Sequence, residues 1–141
     1  MVACHIDMWR RESHNMNTKP TVSKEMYLKT IYCLSQKEGS ARSVDIAEFL
    51  NVSRPSVSVA MKGLVLDDLI EKDMKHHIVL TPEGQRQALS IIEKYNILLF
   101  FLAEILEVDI MQAKTDADKM EHVVSNETIS RIKKCCELNI K

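Results

Sequence analysis

The sequence predicts a mainly α-helical protein interrupted by one short β-hairpin, and three observations carry that expectation. Apolar residues make up 45% of the 141-residue chain and recur at spacings of three and four, not in alternation. Glycine and proline number 3 each and aromatics reach only 5%, too few for a turn-rich sheet protein. Strand-like character is confined to two runs, Leu69–Lys72 and His77–Leu80. A chain of this length forms one compact domain or two small ones sharing a core, with room for a binding module but not for a large substrate cleft.

Residues 1–20 mix charge, His and Met without periodicity and end at Pro20, which predicts a flexible leader. Cys4, His5 and His14 lie in it, and a leader of this kind rarely preorganises a metal site. Ser23 is placed to cap a first helix whose apolar positions are Met26, Tyr27, Ile31 and Leu34 and which ends near Gly39. Ser43 opens a short second helix with Ile46, Ala47 and Leu50 inward, and Asn51-Val52 makes a turn. Ser53 caps a third helix with Pro55 in its first turn, where a missing amide hydrogen costs nothing. Two short helices joined by a tight turn are a helix-turn-helix, and the following strand pair, separated by Asp73-Met74-Lys75-His76, reads as its wing.

Thr81 and Pro82 start a fourth helix expected to run to about Leu106. Between Ile97 and Leu106 it is apolar nearly all round, and a chain with limited core to offer buries such a helix most simply against a second copy. A two-fold homodimer through Ile97, Leu98, Phe100, Phe101 and Leu102 is therefore expected. Asp109 caps a fifth helix reaching about Val124, and Ser125 a sixth from Asn126 onward. The predicted fold class is mainly α, a winged helix-turn-helix domain over residues 21–90 followed by a helical dimerisation domain over 91–141.

Charge and cysteine usage narrow the function classes. The formal net charge is −1, and residues 21–90 carry 9 basic against 9 acidic side chains, so nucleic-acid binding must come from locally placed charges. Cys4, Cys33, Cys135 and Cys136 show neither a disulfide framework nor a C-x-x-C zinc pair, and a reducing cytoplasm is the simple reading. No apolar run reaches the ~18 to 20 residues of a membrane span, and residues 1–20 lack a signal peptide's apolar stretch. No nucleophile, acid and base set stands together in the sequence, which argues against an enzyme.

On the third helix Val57, Ala60, Met61 and Leu64 form a core-facing stripe, leaving Arg54, Ser56, Ser58, Val59 and Lys62 outward. That face is small, polar and basic, as major-groove entry requires: Arg for guanine or phosphate, Ser for either, Val59 for a thymine methyl. A solvated helix surface would look the same. Arg42, Ser53, Pro55 and Lys75 complete the candidate contacts to double-stranded DNA, with Lys72, His76 and His77 also on the wing.

Four segments in order, KEMYLKTIYCLSQKEG, RSVDIAEFLNVSRPSVSVAMKGL, VLTPEGQ and EHVVSNET, closely resemble the DtxR/MntR family of metal-dependent repressors over roughly residues 23–130. The resemblance implies a homodimer that binds operator DNA when Mn(II) or Fe(II) is bound, here in a short form without the SH3-like domain of some members. It also implies a metal site. Asp118, Glu121 and His122 match the family's ligand triplet, and Met26 stands at the helix-one position that supplies a thioether or carboxylate. Spacing of three and four does let side chains converge from one helical face, although an acidic face with one His is more often solvated. The sequence departs from the family at Asn96, where a ligating His is usual, and at Lys29, where the manganese branch has Glu. A second ion is therefore not expected. Two competing readings remain open: a metal-independent winged-helix regulator with a degenerate site, and a protein-interaction module on the same fold.

Overall fold

In the computed structural model, which describes residues 23–139, the first element starts where Ser23 accepts the Met26 amide on its hydroxyl at 3.2 Å. The leader expected over residues 1–20, with Cys4, His5 and His14, lies outside the described residues. Helix α1 runs Lys24–Glu38 and ends at Gly39, whose φ of +82° lets its amide reach the Ser35 carbonyl at 2.8 Å. The whole stretch Met26–Leu34 is buried, including Lys29 and Thr30, not just one apolar stripe. Helices α2 (Ser43–Leu50) and α3 (Arg54–Leu66) and strand β2 all pack on α1, so it is covered from several sides.

Asn51, in the left-handed region at φ 53°, closes α2, and Ser53 caps α3 by accepting the Ser56 amide at 3.2 Å. Strands β1 (Ile70–Lys72) and β2 (Ile78–Leu80) pair antiparallel with Ile70 opposite Leu80, Glu71 opposite Val79 and Lys72 opposite Ile78. Ala41, in the link between α1 and α2, adds a bridge to Ile78 that the sequence did not signal. Leu28, Ile31, Ile46, Leu50, Val57, Leu64, Ile70 and Ile78 form the core of this winged helix-turn-helix. The chain divides into two compact units, the first ending at Leu89.

Helix α4 (Pro82–Phe100) begins in a tight junction. The Thr81 hydroxyl donates to the Asp68 carbonyl at 2.7 Å and accepts the Gly84 amide at 3.1 Å, while the Thr81 amide donates to the Leu69 carbonyl at 3.0 Å.

The second unit, from Ser90, contains the rest of α4, a π-helical turn (Phe101–Ile105), α5 (Ile110–Met120) and α6 (Asn126–Asn139). Here the fourth helix departs from expectation. Its last turn widens so that the Leu106 amide bonds the Phe101 carbonyl five residues back at 3.0 Å. The π turn packs against both α5 and α6. Asp109 caps α5 by accepting the amides of Met111 and Gln112, at 3.1 and 3.4 Å. Helix α5 stops at Met120, earlier than the expected Val124, because the amides of His122 and Val123 turn to carbonyls three residues back.

The free thiols among the described residues are Cys135, half-buried, and Cys136, whose pKa burial pushes up, which suits packing over reactivity. Cys33 is disulfide-bonded, which the reading of a uniformly reduced chain did not anticipate.

Candidate DNA-reading face and metal-binding turn

Helix α3 turns Val57, Met61 and Leu64 into the core of its unit and leaves Arg54, Pro55, Ser56, Ser58, Val59 and Lys62 exposed. The cap organises the first turn, because the Ser53 hydroxyl bonds the Ser56 hydroxyl at 2.8 Å besides accepting the Ser56 amide. Arg42 is held too: its Nε donates to Asp45 Oδ2 at 2.9 Å and its Nη2 to Oδ1 at 3.3 Å. No hydrogen bond or ion pair holds the side chains of Arg54, Ser58 or Lys62 among the described residues. These three groups are ready for phosphates or base edges without breaking an existing contact.

The wing is shaped by Asp73, whose Oδ1 accepts the amides of Lys75 at 2.8 Å and His77 at 2.9 Å. This holds the hairpin turn, with His76 at φ 61°, and leaves Lys75 exposed at its tip. The His77 backbone amide holds the Asp73 carboxyl below its ordinary value of 3.8. A lowered folded pKa contributes order that is complete above the ordinary value and lost as pH falls through the folded one. Acidification is therefore expected to release the amides of Lys75 and His77 together, read as coupled amide shifts by NMR. The Asp73→Asn variant should weaken the turn already at neutral pH. Amide shifts that stay fixed through the acid titration would refute this role.

The predicted metal ligands fall on three settings. Met26 is buried in α1, and Lys29, one turn further on, is fully buried. Asp118 is half-buried in the last turn of α5, Glu121 is the buried residue that ends the helix, and His122 lies in the turn beyond. Glu121 Oε1 lies 3.4 Å from His122 Nε2, and the Glu121 side chain is 0% exposed. No group of three or more His, Cys, Asp and Glu side chains with metal-holding geometry stands among the described residues. The structure thus brings Glu121 and His122 together and does not gather the full triplet.

The five residues of the expected dimer face differ in their exposure within the single chain. Leu98 and Leu102 are buried within their own chain, Ile97 and Phe101 are half-buried, and only Phe100 of the five is exposed. Among the described residues of this unit Leu106, Ile110, Met111, Val123 and Leu138 are also exposed.

Comparison with known proteins decides the family. The profile described as "Iron dependent repressor, N-terminal DNA binding domain" matches residues 19–78, and "Iron dependent repressor, metal binding and dimerisation domain" matches residues 81–137. The chain belongs to the iron-dependent repressor family. A relative of this family, the "HTH-type transcriptional regulator MntR" of Listeria welshimeri, is 34% identical over 113 residues, 80% of this chain and 79% of that protein. The "Diphtheria toxin repressor" of Corynebacterium glutamicum is 32% identical over 108 residues, 77% of this chain and 47% of its own length, so this chain spans about half of it. Among solved structures the manganese regulator SloR matches at a TM-score of 0.74 and 36% identity, covering 84% of this chain and 55% of that one. The metal-dependent transcriptional regulator MtsR matches at 0.78 and 29%, with the same coverages.

The donor chemistry of the turn fits a divalent ion in such a family member. A buried carboxylate facing an imidazole, with a second carboxylate one turn back, offers hard oxygen and borderline nitrogen ligands suited to Mn(II) or Fe(II). Among the described residues no helix is long and apolar enough to cross a membrane.

Proposed function

We propose that this chain is a metal-responsive DNA-binding transcriptional regulator, a repressor that acts as a homodimer in the cytoplasm. Its regulatory ion is Mn(II) or Fe(II), with Met26, Asp118, Glu121 and His122 as ligands. The observation that carries the reading is the two family profiles in order over one chain, with the DNA-binding part folded as a helix-turn-helix whose outward Arg54, Ser58 and Lys62 side chains hold no hydrogen bond or ion pair among the described residues. Val59 and the Arg54, Ser58 and Lys62 side chains present base-reading and phosphate-binding chemistry on one helix, and Lys75 adds a phosphate contact from the wing. No catalytic role is needed.

The ion when bound supplies positive charge that draws thioether, carboxylate and imidazole ligands together. The protein's own residues supply the response, since the DNA-competent arrangement gains population only as far as these ligands hold the ion more tightly in it. Each ~1.4 kcal/mol of that preference changes the ratio tenfold. A second reading, a metal-independent regulator, is favoured by one observation: Lys29, where the manganese branch of the family has Glu, is fully buried one helical turn from Met26. Selection of duplexes from a randomised pool by the full chain, with Mn(II) and with chelator, separates the two. Enrichment of one sequence family with Mn(II) alone supports metal response; equal enrichment with chelator supports the second reading; no enrichment sinks both.

A further inference from the structure

We propose that His77 is a positioning residue for DNA binding: its ring ties the wing to the link that leads into the helix-turn-helix, and the tie strengthens when the ring is protonated. This rests on the DNA-binding reading above and adds a pH response to it. Ala41, in the link between α1 and α2, exchanges two backbone hydrogen bonds with Ile78, at 3.2 and 2.7 Å. Next to them Ser40 Oγ lies 3.1 Å from His77 Nδ1, in a half-buried hydrogen bond. Among the described residues it is the only side-chain hydrogen bond between residues 70–80 and the rest of their unit. The backbone pair holds the start of β2, and the Ser40–His77 bond holds the turn before it, which carries the exposed Lys75.

The same ring nitrogen faces a carboxylate. His77 Nδ1 stands 3.7 Å from Asp73 Oδ2, while Asp73 Oδ1 accepts the Lys75 and His77 amides that shape the turn. A bare Nδ1 accepts from the Ser40 hydroxyl but turns its lone pair toward the carboxylate; a protonated Nδ1 donates to Ser40 Oγ and attracts Asp73. The charged groups on the elements around the ring are Lys72 on β1, Asp73, Lys75 and His76 on the turn, and Lys37, Glu38 and Arg42 on either side of the link. Arg42 is engaged by Asp45, and Asp73 is the acid in ion-pair range of the ring among the described residues. Histidine changes charge between about pH 5 and about pH 8, so the contribution of the wing to DNA binding is expected to fall as pH rises through that range.

The full chain is first used to select a duplex from a randomised pool with Mn(II) present, and binding to that duplex is read by anisotropy at saturating Mn(II) from about pH 6 to about pH 8. Each variant is compared with wild type at the same pH, so that protonation elsewhere, at His122 above all, cancels. Ser40→Ala is expected to weaken binding about fivefold at the acid end of the range, the equivalent of one hydrogen bond, and about twofold at the alkaline end. His77→Gln keeps a donor for Ser40 but cannot titrate, so it should stay within about twofold of wild type at the alkaline end and lag behind as pH falls. In a Lys75→Ala background the Ser40→Ala penalty should shrink to less than about twofold, because the tie acts through the wing contact. A pH-dependent advantage of His77 over Gln that survives undiminished in Ser40→Ala would make His77 a direct phosphate contact and overturn the proposal. Ser40→Ala and His77→Gln penalties that are equal at every pH would overturn it as well, while leaving DNA binding intact. A pool with no enriched sequence overturns this proposal and the DNA-binding reading together.

Discussion

Exchanging Asp118 and Glu121 together for alanine is expected to remove the dependence of DNA binding on Mn(II) or Fe(II). A tenfold or greater metal enhancement, about 1.4 kcal/mol, should collapse to none, while affinity in chelator stays within about twofold of wild type. The reason lies in the turn after α5. Glu121 carries the buried carboxylate and faces His122 at 3.4 Å, and Asp118 supplies the second negative group one turn back. The isosteric pair Asp118→Asn and Glu121→Gln keeps the volume and removes the charge, so it should lose metal response without the packing loss of alanine. Calorimetric titration with Mn(II) and fluorescence anisotropy on the selected duplex read the two effects separately. Full metal response in the charge-neutral variant would remove these residues from the site.

Gly84→Ala should destabilise the protein by about 3 kcal/mol, at the upper end of overpacking costs. A Cβ at Gly84 would stand 1.9 Å from the Leu69 carbonyl oxygen, which already accepts the Thr81 amide. Neither partner yields easily, since one is backbone at the entry to β1 and the other is the first turn of α4. Thermal unfolding should drop by on the order of 10–20 °C. Gly63 provides the internal comparison, because it lies inside α3 with nothing within 4 Å of its built Cβ. Gly63→Ala is therefore expected to stabilise by roughly 0.5–1 kcal/mol. Equal unfolding temperatures for Gly84→Ala and wild type would refute the packing account of the junction.

Most helix boundaries were legible because they carry a local chemical signal, although Arg42, at the N-terminus of α2, provides no side-chain cap. Ser23, Ser53 and Asp109 cap helices with their own side-chain oxygens, and Gly39 and Asn51 supply the left-handed turns. What escaped the sequence depends on contacts far along the chain or on a change of helical period. The bridge from Ala41 to Ile78 is set by tertiary approach, with no composition cue. Lys29 reads as a polar break in an apolar stripe, yet the packing of several elements around α1 buries it. The π turn at Phe101–Ile105 is a change of helical period that the run of apolar residues there does not announce. In the metal triplet Asp118 lies in the last turn of α5, Glu121 keeps helical geometry with its amide on the Ala117 carbonyl at 3.1 Å, and His122 lies in the turn beyond.

The central claim is that a divalent ion changes how tightly this chain holds DNA, and anisotropy on the selected duplex tests it most directly. One protein preparation is titrated against the labelled duplex in Mn(II), in Fe(II) and in chelator at fixed ionic strength. The account predicts binding at least about tenfold tighter with one of the two ions, and a loss of that difference on adding chelator to the formed complex. Identical affinity in all three conditions would contradict it.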